Sequence, residues 1–388
     1  MRLPAFAACA AVLALSCADA AFAAAASRPA VRSVTFAGSS VRVPADWPVF
    51  DLAAAPHTCM RYDRHAVYLG DPGPDQDCPA VAVGRTETVR IASDGTVSRT
   101  HGERTSAEAG SGGGDAHAHA DADADATDQV PQPIPKTHAR RPRRKLEPAA
   151  VYAGLGFDTC AAPSTDVMQA WAKSSPYHAT GVYIGGVDRA CPDGNLTPDW
   201  LRRVSGQGWK FFPIYVGRQA PCWKDPGGGH PALIERARRW TQGVEAADDA
   251  ADRAGHFGIA QGSPIYFDME YYPRDNPACT EDVQAFLSAW TDQLHNRGFI
   301  SGIYSSSGGA IADMALVYDS GAAYRADVAW FAHWDKKPRL FGDPTLNDRY
   351  WPGHRRIKQY VGSRNETYGG KRLNIDLNVL DAPVAALK

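Results

Sequence analysis

Two acidic residues, Asp268 and Glu270, stand near the end of the apolar run Pro264–Tyr271. Side chains two positions apart on a β-strand point to the same face, which places their Cα atoms roughly 6 to 7 Å apart. Two carboxyl groups in one confined site drive their pKa values apart, so one can donate a proton while the other is an anion. Cleavage of a glycosidic bond needs this division of roles, and the pair is a candidate for that chemistry.

Three further acidic residues lie at the ends of strand-like runs or on them: Asp158, Asp335 and Asp376. A strand-end Asp is often a helix cap or half of an ion pair. We expect such a structural role for Asp335. Asp158 precedes Thr159 and Cys160, so it could organise backbone amides there or take part in a site.

Aromatic residues recur near the same strand ends, where flat rings can stack on sugar faces and hydroxyl groups can form hydrogen bonds. Some of them must belong to the core. The candidate substrate-binding set, which includes one histidine, is Tyr183, Tyr215, Tyr271, Tyr304, Trp330, His333, Trp334 and Tyr360.

Apolar runs alternate with amphipathic segments from Ala153 onward, and eight runs over about 230 residues predict an α/β fold, a (β/α)8 TIM-type barrel. In such a barrel the strand ends converge on one open face, which would bring the acidic residues together. The segment Asp343–His354 is too short and Pro-rich for a full helix, so the last units should be abbreviated. The eight runs are Leu155–Asp158, Gly181–Gly185, Lys210–Val216, Pro264–Tyr271, Phe299–Ser305, Val328–Trp334, Arg356–Val361 and Asn374–Leu380.

The ends of two of the intervening helices can be predicted from capping residues. Thr197 followed by Pro198 predicts an N-cap and first helical residue, with the helix ending at Gly206. Thr280 is the predicted N-cap of a second helix that ends at Gly298.

The N-terminus is typical of a secretory signal peptide over residues 1–26, because Arg2 precedes an Ala/Leu/Val run and a small-residue stretch, with cleavage after Ala23. Lipidation at Cys17 is the second interpretation. No other apolar run is long enough to span a bilayer. The chain is therefore expected to be exported and extracellular, and cell-wall association is a further expectation.

Residues 31–95 carry short alternating runs broken by prolines, which predict a small β-rich module acting in recognition, as a spacer or as a cap on the larger domain. Residues 100–148 are rich in Gly, Ala, Asp and His and predict a disordered linker before a barrel domain at 150–384. Its basic cluster Arg140–Lys145 could touch anionic polymers, although a solvated linker end is favoured. His117 and His119 are interpreted as incidental, and no metal site is assigned.

Six cysteines follow the signal segment, and an even number in an exported chain indicates disulfides. Neighbouring barrel loops on one face allow Cα atoms within about 7 Å, the limit for an unstrained bridge. The predicted pairs are local: Cys59–Cys78, Cys160–Cys191 and Cys222–Cys279.

Several motifs together resemble the bacterial glycoside-hydrolase-like group DUF1906 and, more distantly, the glycoside hydrolase family 25 lysozymes. The resemblance covers about Leu155–Leu380 in strand order. Its motifs are Gly156–Cys160, Tyr183–Gly186, Ile265–Glu270, Gly302–Ser306, Ala329–His333, Gln359–Tyr360 and Ile375–Asn378.

The resemblance implies a catalytic set of four acids. Glu270 would be the general acid, and Asp268 either the nucleophile or the stabiliser of a substrate acetamido group. Asp158 and Asp376 would tune and orient these groups.

Two functions follow. The first is a secreted hydrolase, a monomer without cofactor, that cleaves a β-linked amino-sugar glycan such as peptidoglycan. The alternative is a cell-wall or glycan-binding protein that keeps the barrel and its acidic pocket without turnover. The formal net charge of −2 gives no indication of nucleic-acid binding.

Overall fold

The computed structural model describes residues 30–80, 82–100, 146–224, 231–319 and 324–388. The predicted signal peptide and nearly all of the predicted linker lie outside these residues, so both remain predictions. None of the described helices is long and apolar enough to cross a membrane.

The N-terminal residues form two small sheets. Strands β1 (Val31–Phe36) and β2 (Ser39–Pro44) pair antiparallel, and a four-stranded sheet has the order β3-β4-β5-β6. The two sheets share a small core, with Val43, Trp47 and Val67 among its buried residues. The strands of the second sheet are β3 (Val49–Asp51), β4 (Ala66–Leu69), β5 (Thr88–Ile91) and β6 (Val97–Thr100).

The remaining eight strands form a closed barrel in the order β10-β11-β12-β13-β14-β7-β8-β9, which confirms the predicted fold class. The strands are β7 (Val151–Asp158), β8 (Ala179–Gly185), β9 (Lys210–Tyr215), β10 (Pro264–Asp268), β11 (Ile300–Ser306), β12 (Val328–Ala332), β13 (Arg356–Tyr368) and β14 (Lys371–Pro383). The helices are α1 (Thr165–Ser174), α2 (Pro198–Gly206), α3 (Arg239–His256), α4 (Pro277–Asn296) and α5 (Ala310–Asp319).

Barrel strands alternate between two apolar environments because successive side chains point to opposite faces. One core fills the barrel interior and includes Phe212, Tyr266 and Trp330. The larger core lies between the strands and the helices and includes Phe267 and Trp290. The buried apolar side chains of the barrel strands therefore belong either to the interior or to the helix layer.

The end of the barrel departs from a regular (β/α)8 pattern. Residues 333–355, all described, contain no helix, as the abbreviated units predicted. Strand β14 runs antiparallel to both β13 and β7, and β13 and β14 form a long ribbon joined at Gly369 and Gly370. The first half of β14, rather than its end, consequently reaches the open face.

One helix start was predicted correctly and the other was wrong. Thr197 caps α2 through a 3.0 Å hydrogen bond from the Trp200 amide. Helix α4 begins at Pro277, one turn before the predicted cap at Thr280, because Asn276 accepts hydrogen bonds from the Ala278 and Cys279 amides. Asn is as good an N-cap as Thr, and Pro277 favours the first helical position.

All three predicted disulfides are present. The Cα separations are 4.8 Å for Cys59–Cys78, 5.8 Å for Cys160–Cys191 and 5.9 Å for Cys222–Cys279. The first two pack against each other in one buried cluster, although one belongs to the N-terminal module and the other to the barrel.

The N-terminal module (residues 31–100) lies against the barrel. Its Tyr62 amide donates to the Ala190 carbonyl at 2.8 Å, and its Gly84 amide donates to the Asp188 carbonyl at 2.9 Å. The barrel residue Asn195 donates to the Pro74 carbonyl at 2.7 Å. The module is therefore in contact with the loops of the barrel, as expected for a cap.

Cleavage within Arg140–Lys145 should leave two folded fragments that stay associated, because these contacts do not depend on the cleaved segment and each disulfide stays within one fragment. Limited trypsin digestion followed by size-exclusion chromatography tests this. Protection of Arg140–Lys145, or separation of the fragments without denaturant, would contradict the prediction.

Candidate active site

Four carboxyl side chains enter the open end of the barrel from three strands. Asp158 ends β7, Asp268 ends β10 with Glu270 two residues beyond it, and Asp376 lies in the first half of β14. All four side chains lie at positions of their strands that face the barrel interior. Asp376 is paired directly opposite Asp158. Gly181 makes room for Asp158, since a Cβ there would lie 2.7 Å from the Asp158 Cβ.

Asp158 and Asp376 are held by a network of amide and hydroxyl donors. The Asn378 side-chain amide donates to Asp158 Oδ2 at 2.6 Å. Gln359 Nε2 lies 3.3 Å from Asp158 Oδ2 and 3.1 Å from Asp376 Oδ2, so it donates to both. The Ser363 backbone amide donates to Asp376 Oδ1. These donors fix both carboxyl groups, and none of the donors carries a positive charge.

The Asp268–Glu270 pair is arranged differently. Its two carboxyl groups lie within hydrogen-bonding distance of each other. The Glu270 amide donates to Gln219 Oε1 at 2.8 Å, and Gln219 Nε2 donates to the Asp268 carbonyl at 3.0 Å. Asp268 Oδ1 and Glu270 Oε1 are buried and have no hydrogen-bond partner. The backbone of the pair is thus fixed by Gln219, and the two carboxyl groups contact each other in a buried position.

Burial raises the pKa of every carboxyl group in this set. The pKa of Asp158 is raised well above its usual range by burial and by Asp376. Burial and the neighbouring Glu270 raise the pKa of Asp268 well above its usual range. The pKa of Glu270 is raised to about 7 by burial and then by Asp376, and burial raises the pKa of Asp376 to about 7.

After burial, the second cause of the raised pKa of Glu270 is Asp376 and not the adjacent Asp268. The hydrogen bond with Asp268 lowers the pKa of Glu270, while the more distant Asp376 raises it. Both carboxyl groups of the pair therefore favour the protonated form more than free carboxyl groups do. Among the described residues, no Lys or Arg forms an ion pair with any of the four acids, so they cannot all be ionised together.

Aromatic residues line the same opening. Tyr304 and Trp334 both donate to Gln359 Oε1, each at 2.9 Å. One face of the Trp334 ring lies on Gly362, where a Cβ would come within 2.5 Å of the indole. Trp334 is nevertheless 61% exposed and Tyr271 is 59% exposed, so both present ring surface to solvent at the mouth.

Comparison with known proteins identifies the barrel. The profile of the family described as "Rv2525c-like, glycoside hydrolase-like domain" matches residues 169–380. The chain belongs to this family. Asp268, Glu270 and Asp376 lie within the matched segment of the glycoside hydrolase-like domain, and Asp158 lies just before it.

Several solved structures are similar to the chain. An uncharacterized B. stearothermophilus protein is 20% identical, with a TM-score of 0.40, covering 58% of this chain and 95% of that one. The Tat-secreted Mycobacterium tuberculosis protein Rv2525c, in complex with L-tartrate, is 14% identical, with a TM-score of 0.39 and coverage of 60% and 99%.

The Clostridium perfringens spore cortex lytic enzyme SleM is 15% identical, with a TM-score of 0.38, and the match covers 59% of this chain and 67% of that one. No protein in the curated collection matches the chain.

Three residues of the predicted substrate-binding set lie away from the opening of the glycoside hydrolase-like domain. The Tyr215 hydroxyl donates to Asp249 on α3 at 2.8 Å, within the helix layer. Tyr360 also faces that layer, one position from the inward Gln359. His333 lies 3.0 Å from Asp343, outside the barrel. Each lies at a position that faces away from the barrel interior, so the prediction that these three residues bind substrate is corrected.

The other predicted residues lie inside the barrel or at its mouth. Tyr183 donates to Asp158 Oδ1 at 3.4 Å. Trp330 is fully buried, and its indole donates to Asn378 Oδ1 at 2.8 Å, so it supports the network from below. Tyr183, Tyr304 and Trp334 are therefore close to the four acids, while Trp330 belongs to the layer beneath.

Sequence reasoning missed three amides that organise the site: Gln219, Gln359 and Asn378. Gln359 and Asn378 lie within two of the motifs that carry the family resemblance, but neither was assigned a role. A polar amide inside an otherwise apolar strand was the available signal, because a buried amide must find hydrogen-bond partners. Gln219 lies in a loop, and its sequence gave no comparable signal.

Two groups of residues in the described chain have the spacing of metal ligands, and neither fits an ion. Cys59, Cys78 and Cys191 are consumed in disulfides. His333, Asp335 and Asp343 surround Lys358, whose Nζ lies 2.7 Å from each carboxylate and already supplies the positive charge. Asp335 is an ion-pair partner, as expected.

The raised pKa values predict that stability falls as pH rises from about 4 to about 7. In this window the folded protein retains protons on Glu270 and Asp376 that the unfolded chain has lost, so deprotonation favours unfolding. Asp376→Asn should flatten this dependence and stabilise the protein at pH 8 by on the order of 2 kcal/mol. Urea unfolding at several pH values measures it.

Asp46→Asn, an exposed substitution in the module, is the control and should leave the pH dependence unchanged. The lowered pKa of Asp343 acts in a lower pH range and does not interfere. An Asp376→Asn protein with the wild-type slope between pH 4 and 7 would contradict the assignment.

Proposed function

We propose that this protein is a secreted glycoside hydrolase that cleaves a β-linked amino-sugar glycan, most specifically peptidoglycan. The observation that carries the proposal is the group of four buried carboxyl groups, none of which forms an ion pair with a Lys or Arg in the described segments. Such a group holds protons at neutral pH, and two of its oxygens are unpartnered. Family membership supports the same class of chemistry.

In this proposal Glu270 is the proton donor. Its pKa of about 7 keeps a large fraction protonated at neutral pH, which general acid catalysis requires. It is also the least buried of the four acids, so it can reach the glycosidic oxygen of a sugar bound at the mouth. Proton transfer to that oxygen assists departure of the leaving sugar.

Asp268 is better suited to positioning a substrate group than to direct attack. The flanking carboxyl groups of a retaining glycosidase are about 5 to 5.5 Å apart, and those of an inverting enzyme are further apart. Asp268 is close enough to Glu270 to share a proton. In this proposal the Asp268 carboxyl group would orient the acetamido group of an amino sugar, whose carbonyl oxygen can then act as the internal nucleophile.

Trp334 and Tyr271 supply the stacking surface in this scheme. The Trp334 ring is fixed by Gly362 on one face and by Gln359 at its indole nitrogen, so its exposed face is preorganised for a sugar ring. The same surface would serve a non-catalytic glycan-binding protein, and this favours that alternative as the second candidate function.

Export is part of the proposal. Three disulfides are typical of proteins that fold in an oxidising compartment. With the signal-like N-terminus they support an extracellular protein acting at a cell wall. A lipid anchor at Cys17 is the less favoured arrangement, and we propose that the protein acts as a monomer without a cofactor.

Glu270→Gln should abolish cleavage while leaving folding and glycan binding close to wild type, because it keeps the shape and removes the transferable proton. Asp268→Asn should lower turnover by at least about 100-fold. The measurement is mass spectrometry of products after incubation of the purified protein with peptidoglycan and chitin fragments.

Two matched substitutions act as controls. Glu281→Gln, on the exposed side of α4, should retain full activity, and Asp335→Asn should have a much smaller effect than Asp268→Asn. Equal cleavage by wild type and Glu270→Gln would overturn the assignment. A wild type that binds glycan in this pocket and releases no product would establish the binding-protein alternative.

A further inference from the structure

A cleft of about 580 Å³ separates the N-terminal module from the barrel. Residues 74–79 of the module form one wall, and residues 370–374 at the start of β14 form the other. The loop that follows β7, residues 159–163, contributes the floor. The family profile begins at residue 169, so one wall and the floor come from outside the matched segment.

The cleft lies directly beside the carboxyl groups of the candidate active site. Thr159 on its floor follows Asp158, and Asn374 precedes Asp376 by two residues. Ser363, which also lines the cleft, donates its backbone amide to Asp376. The cleft therefore adjoins residues that neighbour or hold Asp158 and Asp376.

Both walls are held in place by buried contacts. The Cys59–Cys78 disulfide closes the module segment and packs against Cys160–Cys191 at the floor. Across the cleft, the Ala80 amide donates to Asn374 Oδ1 at 2.9 Å. The module wall is thus fixed relative to both the floor and the barrel wall.

The walls carry opposite charges. Asp75 and Asp77 are on the module side, and Lys371 and Arg372 are on the barrel side. No ion pair involving these four side chains occurs within the described part of the chain, and Asp75 Oδ1 is buried without a hydrogen-bond partner. A neutral sugar chain has no charged group that could pair with either wall. A ligand with an ammonium group and a carboxylate could form an ion pair with each wall.

We propose that this cleft binds a zwitterionic peptide substituent of the glycan, with its ammonium group at Asp75 and its carboxylate at Lys371 and Arg372. This inference rests on the proposed function, in which the sugar occupies the carboxyl pocket. It makes the N-terminal module part of the substrate site and selects glycan that carries peptide over bare glycan.

The test compares three ligands by isothermal titration calorimetry on full-length Glu270→Gln protein, in which turnover is blocked. The ligands are an N-acetylglucosaminyl-N-acetylmuramic acid disaccharide bearing a peptide with a diamino acid, the same compound acetylated on its free side-chain amine, and the bare disaccharide. We expect about tenfold tighter binding of the first ligand than of the third. Acetylation should remove most of this preference.

Adding Asp75→Asn should weaken binding of the first ligand and make the protein insensitive to acetylation. Adding Lys371→Gln with Arg372→Gln should bring the first and third ligands within about twofold of each other. Lys210→Gln, at the opposite end of the barrel, is the control for the loss of a surface cation and should change nothing. Thermal melting verifies that each variant is folded.

Retention of the tenfold preference in both cleft variants would overturn the proposal, as would equal binding of the first and third ligands by the parent protein. In the second case the disaccharide would still bind, so only the cleft proposal would fail. If no ligand bound at all, the proposed glycan specificity would fail as well.

Discussion

The central constraint on this structure is the burial of four carboxyl groups that no Lys or Arg of the described residues neutralises. Charge repulsion and lost hydration both oppose this arrangement, so the surrounding fold must supply donors and a rigid frame. Gln359 connects Asp158, Asp376, Tyr304 and Trp334 through a single amide. The barrel below it is filled with tightly packed aromatic side chains, which keeps the network from collapsing or admitting bulk water.

The sequence was sufficient for the features that depend on local spacing. The Asp268–Glu270 pair, the eight strands and the three disulfides all follow from rules that operate within a few residues or between adjacent loops. Strand parity was not accessible in the same way. Both faces of a barrel strand are apolar, so alternation alone does not tell which face is inward. Tyr215, Tyr360 and His333 were misassigned for that reason.

The direction of the last strand also could not be read from the sequence. A short loop containing Gly369 and Gly370 permits a reversal, yet a parallel crossover was equally compatible with the apolar pattern of β14. The antiparallel arrangement has a chemical consequence: it places Asp376 opposite Asp158 and Asn378 beside it. Two acids and an amide thereby meet although 218 positions separate Asp158 from Asp376 (376 − 158).

The module and the barrel are better described as one docked unit than as a barrel domain with an appendage. The module has a small core, and small cores supply little stability of their own. Its disulfide packs on a barrel disulfide, and its amides bond to barrel carbonyls, so docking satisfies groups that either part would leave exposed. Because the docked surface ends beside Asp158 and Asp376, the interface that stabilises the module also shapes the space next to the four acids.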